Sequence, residues 1–235
     1  MFAKIKNNAF IAWLEYVTQS IICHMKFAKK YEVPYIIYFL WLTLLVSALI
    51  SFITADWLAL FLSLATFSLS LLAIYYADKS DFQVPSVLIT SSILFIYGTL
   101  FLGEVANLYE KLWWWDIVLH SMSALGFGLL GVIICVLVFR YQSLKKSPLL
   151  ASILAFSFAM SIGAVWEIFE FSMDQLFDLN MQKSGLPDTM LDLIVDAIGA
   201  TIAAVAGYLY IVKKNKQGLN AIIHEAVKDN KQNMS

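Results

Sequence analysis

The chain has 235 residues and a formal net charge of −1; 60% of its residues are hydrophobic, 14% are charged, and the mean hydropathy is +0.75. Soluble domains are about 45–50% apolar and about 25% charged, so this composition excludes a soluble protein and indicates an integral membrane protein. The two cysteines, Cys23 and Cys135, lie far apart and indicate neither a disulfide framework nor a thiolate metal site. We expect no nucleic-acid partner.

The N-terminal segment is an apolar run with lysines on both sides, from Lys4 to Lys30. Glu15 interrupts the run and no small-x-small cleavage site follows it, which argues against a cleaved signal peptide. Basic flanks around an interrupted apolar run are typical of a helix that lies in the membrane interface. We therefore predict that residues 1–32 form an amphipathic interfacial helix.

The rest of the chain contains enough apolar sequence for six membrane crossings. A helix needs about 20 apolar residues to span a bilayer. Stretches of this kind occupy 34–54, 57–77, 84–103, 113–139, 149–173 and 189–212. The predicted fold is an all-α polytopic membrane bundle, with a six-helix transmembrane domain over 33–212 and a polar cytoplasmic tail over 213–235. The short junction at Asp56 predicts a tight hairpin between the first two spans.

The charged residues are distributed unequally between the two faces of this predicted bundle. With the N-terminus in the cytoplasm, 14 of the 16 basic residues lie on the inner side, leaving Lys111 and Lys183 outside. Positive residues favour the cytoplasmic side, so both termini are predicted to be cytoplasmic and the location to be the cell membrane. Eleven of the 17 acidic residues then lie toward the outer face. Acidic residues contribute little to orientation, so they call for another explanation.

Three of the predicted spans carry these acids at helical spacing near the outer face. The fourth begins "WWWDIVLHSMSALGFG", with Asp116 and His120 one turn apart, and the fifth ends "GAVWEIFEFSMDQLFD", with Glu167 and Glu170. The sixth begins "PDTMLDLIVDAIGA" and carries three further aspartates, Asp188, Asp192 and Asp196. Side chains four residues apart share one face of a helix and lie about 6 Å apart along its axis.

Small residues continue each of these acidic faces into the membrane. The fourth span has Ala124 and Gly128 beyond His120, the fifth has Gly163 before Glu167, and the sixth has Ala200 beyond Asp196. Small residues at this spacing allow membrane helices to approach closely. The acidic faces are therefore predicted to converge inside the bundle and not to face lipid.

No lysine or arginine lies within these spans to neutralise the carboxylates. Buried carboxylates without cations take up protons or bind a metal. Carboxylate oxygens with one imidazole suit Zn²⁺, Mn²⁺ or Mg²⁺. We predict a cation or proton-sharing site in which Asp116 orients His120 without touching the ion. The predicted ligands are His120, Glu167, Glu170, Asp192 and Asp196.

Several of these residues have simpler interpretations. Asp188 follows Pro187 where a helix begins and is typical of an N-cap, while Asp192 in the first turn suits the helix dipole. Asp116 follows three tryptophans and suits a hydrated boundary position. A purely structural role for the whole cluster also stays open.

The three motifs together resemble the YjdF-type family of bacterial inner-membrane proteins. The elements D-x3-H, W-E-x2-E and D-T-x2-D-x3-D-x2-G-A are intact, and the resemblance covers about residues 84–212. A looser resemblance to VanZ-like membrane proteins rests on the D-x3-H element, the later acids and the Gly-Ala helix. The resemblance implies a bacterial cytoplasmic membrane and the same polar positions, but no substrate.

Three classes of function fit this pattern: an enzyme, a transporter and a non-catalytic scaffold. The first is a metal-dependent hydrolase or transferase that acts on a lipid or cell-envelope substrate at the outer leaflet, with Glu167 or Glu170 as general base. The alternative is a transporter whose acids take up cations or protons, since intramembrane acids mark such pathways. A scaffold whose acidic mouth recruits a basic ligand is the third. The sequence does not indicate the oligomeric state.

Overall fold

The computed structural model describes residues 33–139, 141–213 and 216–233, and this part of the chain is entirely helical apart from its connections. It contains nine helices, one of which continues without a break into a π-helical segment. They are α1 (Tyr35–Thr54), α2 (Trp57–Lys79), α3 (Ser86–Ile96, continued by the π-helix Tyr97–Val105), α4 (Leu108–Lys111), α5 (Trp115–Val138), α6 (Tyr141–Lys146), α7 (Pro148–Phe177), α8 (Leu186–Lys213) and α9 (Leu219–Asn233).

Six of the described helices are long and apolar enough to cross a membrane: α1, α2, α3 with its π-helical continuation, α5, α7 and α8. The prediction of an all-α polytopic membrane bundle is therefore confirmed. The sidedness of the termini stays a prediction. The interfacial helix predicted for residues 1–32 lies outside the described residues.

Local sequence explains where these helices begin. Pro34 and Pro85 directly precede α1 and α3, and Pro148 is the first residue of α7, where the missing N–H of proline costs nothing. Between α1 and α2, Ala55 has a left-handed conformation and Asp56 caps α2, accepting a hydrogen bond from the Ala59 amide at 3.1 Å. This junction forms the tight hairpin that its length predicts.

The spanning helices form two packed groups. In the first, α1, α2 and α3 share an apolar core that includes Ile37, Leu44 and Ile93. In the second, α5, α7 and α8 pack against one another in pairs. Their contacts depend on small residues, because a side-chain carbon at Gly128 would overlap Ala203 and one at Gly131 would press on the backbone of Ala155.

The C-terminal helix α9 covers one end of the second group. Its apolar side buries Ile223, Ala226 and Val227 against α5 and α8. Asn230 is also buried and pairs with the backbone of Gln83, accepting from its amide and donating to its carbonyl, both at 2.7 Å. The segment predicted only as a polar tail therefore joins the two groups of helices.

Replacing Asn230 by alanine is expected to destabilise the protein by about 2 kcal/mol, because it leaves the amide and carbonyl of the half-buried Gln83 without these partners. Chemical denaturation in detergent micelles measures this change. Lys228→Ala, at an exposed position of the same helix, is the matched control and should change stability by less than about 0.5 kcal/mol. Equal losses in the two variants would contradict this role for Asn230.

Candidate metal centre

The helices α5, α7 and α8 bring four ionisable side chains together inside the bundle. They meet at the end where α5 and α8 begin and α7 ends, which we call the site end. The exposed fractions are 7% for His120, 4% for Glu167, 2% for Asp192 and 1% for Asp196. The acidic faces of these helices thus lie against one another and not against lipid.

The His120 imidazole lies at the centre of this group. Its Nδ1 atom is 3.4 Å from Oδ1 and 3.5 Å from Oδ2 of Asp196. Its Nε2 atom is 3.9 Å from Oδ1 of Asp116 and 3.8 Å from Oε1 of Glu167. If Nδ1 carries the proton and donates to Asp196, the lone pair of Nε2 points toward Asp116 and Glu167.

Asp116, His120 and Asp192 have the spacing of metal ligands. One ligand atom from each residue can be chosen so that all three lie within 4.8 Å of one another. Two atoms bound to one ion at about 2.1–2.2 Å lie between about 3 and 4.4 Å apart. The limit of 4.8 Å is close to this range, so the three residues are candidate ligands of one cation.

Several buried carboxylate oxygens in the site have no hydrogen-bond partner within the described part of the chain. They are Oε1 and Oε2 of Glu167, Oδ2 of Asp192 and Oδ1 of Asp196. Buried polar groups in native proteins are nearly always paired, and a buried charge without a partner is especially costly. These oxygens are free to accept a cation or protons.

Two glycines allow the carboxylates and the imidazole to approach this closely. A side-chain carbon at Gly163 of α7 would overlap the Asp196 carboxylate. One at Gly199 of α8 would overlap the backbone carbonyl oxygen of Ser121, the residue after His120. The site therefore depends on the same close helix packing as the core.

Glu170, Asp188 and Asp174 lie at the edge of the site or beyond it. Glu170 is half-buried and accepts a hydrogen bond from Nε1 of Trp166 at 3.0 Å, and Asp188 is half-buried in the first turn of α8. Asp174 secures the connection between α7 and α8 by accepting from the amide of Met181 at 2.7 Å and that of Gln182 at 2.9 Å.

Tyr109 is a neighbour of the site that the sequence analysis did not identify. Its ring fills the space that a side chain at Gly103 would occupy, and the Lys183 ammonium lies 5.6 Å from the ring centre. Burial, reinforced by the nearby charges of Asp116 and Glu104, raises the pKa of the Tyr109 phenol. The hydroxyl therefore stays protonated and able to donate. Its place depends on the π-helix and α4, which carry no recognisable motif.

Comparison with known proteins identifies the family. The family described as "Predicted membrane protein (DUF2238)" matches residues 35–213. The chain belongs to this family. A Thermotoga maritima protein described as "Uncharacterized protein" is 35% identical over 142 residues, which are 57% of this chain and 68% of that protein. No solved structure matches the chain.

The DUF2238 match and the six apolar helices together indicate a multi-pass membrane protein. The resemblance to the YjdF-type family is consistent with this match and stays a prediction. The resemblance to VanZ-like proteins stays a prediction. The matched range includes all three helices of the site and ends with α8, so that α9 lies beyond it.

Proposed function

We propose that this DUF2238 protein binds a divalent cation, Zn²⁺, Mn²⁺ or Mg²⁺, at the site end and acts as a metal-dependent hydrolase or transferase. The observation that carries the proposal is the set of buried carboxylate oxygens without partners around His120. Within the membrane-spanning helices a divalent cation compensates such charges directly, and oxygen with imidazole is a ligand set that these ions accept.

From these distances we infer a part for each residue. Asp116, Asp192 and Nε2 of His120 hold the ion, and Asp196 accepts a hydrogen bond from Nδ1. A carboxylate on the second imidazole nitrogen fixes the tautomer and the ring orientation, and strengthens the nitrogen that faces the metal. The sequence predicts that Asp116 orients His120 and that Asp196 binds the ion. We propose the reverse, with Asp116 as the ligand and Asp196 as the residue that orients His120.

Glu170 is suited to act as the general base. It lies at the edge of the site and not in its centre, and the hydrogen bond from Trp166 to Oε1 leaves Oε2 available. A bound divalent ion acidifies a coordinated water, and a positioned carboxylate can then accept its proton. The same arrangement serves hydrolysis, with water as acceptor, and transfer, with a substrate hydroxyl as acceptor.

The position of the site favours a substrate at the membrane surface. The site lies in the first turns of α5, just after the exposed Trp113 and Trp114, and tryptophans are enriched where membrane meets water. A group carried on a lipid or a cell-envelope precursor reaches this depth. On the predicted orientation, this is the outer leaflet.

The interior of the bundle argues against a transport path through one chain. In the described residues of α5, α7 and α8, Ser152 is the one buried polar side chain outside the site, apart from the tyrosine and cysteine of the apolar core. The Ser152 hydroxyl is already bonded to the Pro148 carbonyl. Direct contacts such as Gly128 with Ala203 close the space beyond the site. The described residues of α5, α7 and α8 therefore offer no polar path from the site to the other end of these helices.

Metal-dependent turnover of envelope lipids tests the proposal. We expect protein in nanodiscs, loaded with Zn²⁺, Mn²⁺ or Mg²⁺, to convert a component of a bacterial lipid extract to a product that mass spectrometry detects and a chelator suppresses. Glu170→Gln should keep the metal but lower the rate about 100-fold or more. Glu104→Gln, an exposed carboxylate outside the site, is the matched control. Cation flux across proteoliposomes without any lipid conversion would favour the transporter instead.

A further inference from the structure

Among the residues that the structure describes, two lysines lie at the site end, Lys111 and Lys183. Lys111 donates a hydrogen bond to the Ala106 carbonyl at 2.8 Å, so its ammonium group turns back onto its own segment. Lys183 lies on the connection between α7 and α8, and its charge acts on the carboxylates of Asp116 and Asp188. Lys183 is therefore the described cation that lies beside the proposed metal centre.

The backbone around Lys183 is fixed by hydrogen bonds to both neighbouring helices. Asp174 of α7 accepts from the Gln182 amide at 2.9 Å, and the Gln182 side chain donates to the Thr189 hydroxyl of α8 at 2.6 Å. Gly185 then turns the chain into α8 with a φ of 67°, a left-handed conformation that glycine adopts without strain. The connection therefore holds Lys183 close to the start of α8, where the metal centre also lies.

The ammonium group of Lys183 has a partner that an incoming anion can replace. It forms an ion pair with Glu110, whose side chain is 58% exposed, and it lies 5.6 Å from the centre of the Tyr109 ring. Exposed ion pairs contribute little to stability because water screens both charges. An anion that carries more than one negative charge can therefore compete with Glu110 for this ammonium group.

The Tyr109 hydroxyl provides a neutral donor next to the same ammonium group. Burial raises the pKa of the phenol, so the hydroxyl keeps its proton. The charges that act on this phenol include those of Asp116, Asp192 and Glu170, which the proposed function assigns to the ion and to the base. A protonated phenol adds no negative charge beside these carboxylates and can donate to an oxygen of a bound anion.

Together with the proposed ion, Lys183 and Tyr109 provide three groups that attract the oxygens of an anion. Sites that act on phosphoryl groups hold them with metal ions and with lysine or arginine side chains. A phosphate monoester offers three acceptor oxygens and a charge of about −1.5 to −2 at pH 7, whereas a carboxylate offers two oxygens and one charge. The three groups therefore suit a phosphate monoester better than a carboxylate.

We propose that Lys183 and Tyr109 bind the phosphate group of a lipid phosphate monoester, and that this chemical class is the substrate of the metal centre. The inference rests on the proposed function, which supplies the ion and a substrate at the membrane surface. Lys183 exchanges the Glu110 carboxylate for the phosphate of the substrate. A lipid without this charge gains nothing from the exchange and binds less tightly.

Phosphate binding to the metal-loaded protein tests this inference. The protein is purified in maltoside micelles, loaded with Mn²⁺, freed from excess metal and titrated with short-chain phosphatidate or with inorganic phosphate. Paramagnetic broadening of the phosphorus resonance reports binding beside the ion. We expect both probes to broaden, with phosphatidate bound more tightly. Lys183→Gln should weaken phosphatidate binding about tenfold and Tyr109→Phe about fivefold, because each removes one donor to the phosphate.

Two further variants separate phosphate recognition from a purely structural ion pair. Glu110→Gln removes the competing carboxylate and should strengthen phosphatidate binding by up to about fivefold. Lys111→Gln removes the other lysine of the site end and should bind as the wild type does. Similar losses in Glu110→Gln and Lys183→Gln would mean that the pair only joins α4 to the connection, and would overturn the inference.

The wild-type measurements separate this inference from the proposed function and need no variant to fold. Bound Mn²⁺ without broadening of either probe overturns the phosphate inference and leaves the metal-dependent function to another class of substrate. No bound Mn²⁺ or Zn²⁺ overturns both. Phosphatidate that binds no more tightly than inorganic phosphate overturns the assignment to a lipid. The Mn²⁺ content of each variant is measured first, so that misfolded protein is excluded from the comparison.

Discussion

Replacing Gly199 by alanine is expected to destabilise the protein by about 3 kcal/mol and to weaken metal binding at the same time. The added carbon would overlap the backbone carbonyl oxygen of Ser121 and crowd the Leu125 amide. Backbone atoms in the middle of a helix cannot rotate away, so α5 and α8 must separate. Because Ser121 follows His120, this separation also moves the imidazole away from Asp196.

The measurement is chemical denaturation of the variant with and without Zn²⁺. Gly126→Ala is the matched control, because Gly126 lies in the same bundle on α5 and a carbon added there meets nothing within 4 Å. This control should be neutral or stabilising by up to about 1 kcal/mol, since alanine favours the helix. Similar behaviour of the two variants would show that α5 and α8 are not packed as closely as described.

Divalent metal is expected to stabilise the wild-type protein by about 3 kcal/mol when its free concentration is about 100 times the dissociation constant. The folded site gathers ligands from three helices, and the unfolded chain does not. His120→Ala removes the central ligand and should abolish the gain. Thermal or denaturant unfolding in the presence of Zn²⁺, compared with the chelated protein, gives the difference directly.

His224→Ala is the control for the loss of a histidine. His224 lies on α9, where its Nδ1 is 3.5 Å from the Tyr210 hydroxyl, and it takes no part in the site. The metal-dependent gain in this variant should equal that of the wild type. Metal stabilisation that survives His120→Ala would place the binding site elsewhere on the protein.

The spans and the helix contacts follow from sequence because hydropathy and small-residue spacing act locally. Each predicted span lies within a few residues of its helix, as for 57–77 and Trp57–Lys79. The positions of the buried acids also follow, because the faces carrying Asp196 and Glu167 continue into alanine and glycine. Those faces can bury only against another helix.

The individual roles in the site do not follow from spacing. Whether Asp116 or Asp196 lies nearer to His120 depends on how α5 and α8 are rotated about their own axes. It also depends on Gly163, which leaves room for the Asp196 carboxylate. Tyr109 is placed by a π-helical segment that hydropathy does not distinguish from an ordinary helix. The packing of α9 was detectable, because Ile223, Ala226 and Val227 recur at helical spacing within a polar segment.

X-ray absorption at the zinc edge of the loaded protein tests the central claim most directly. We expect a coordination shell of carboxylate oxygens with the outer-shell scattering of an imidazole, and we expect that scattering to disappear in His120→Ala. Zinc at background level, a shell containing sulfur, or imidazole scattering that persists without His120 would contradict a metal centre built from α5, α7 and α8.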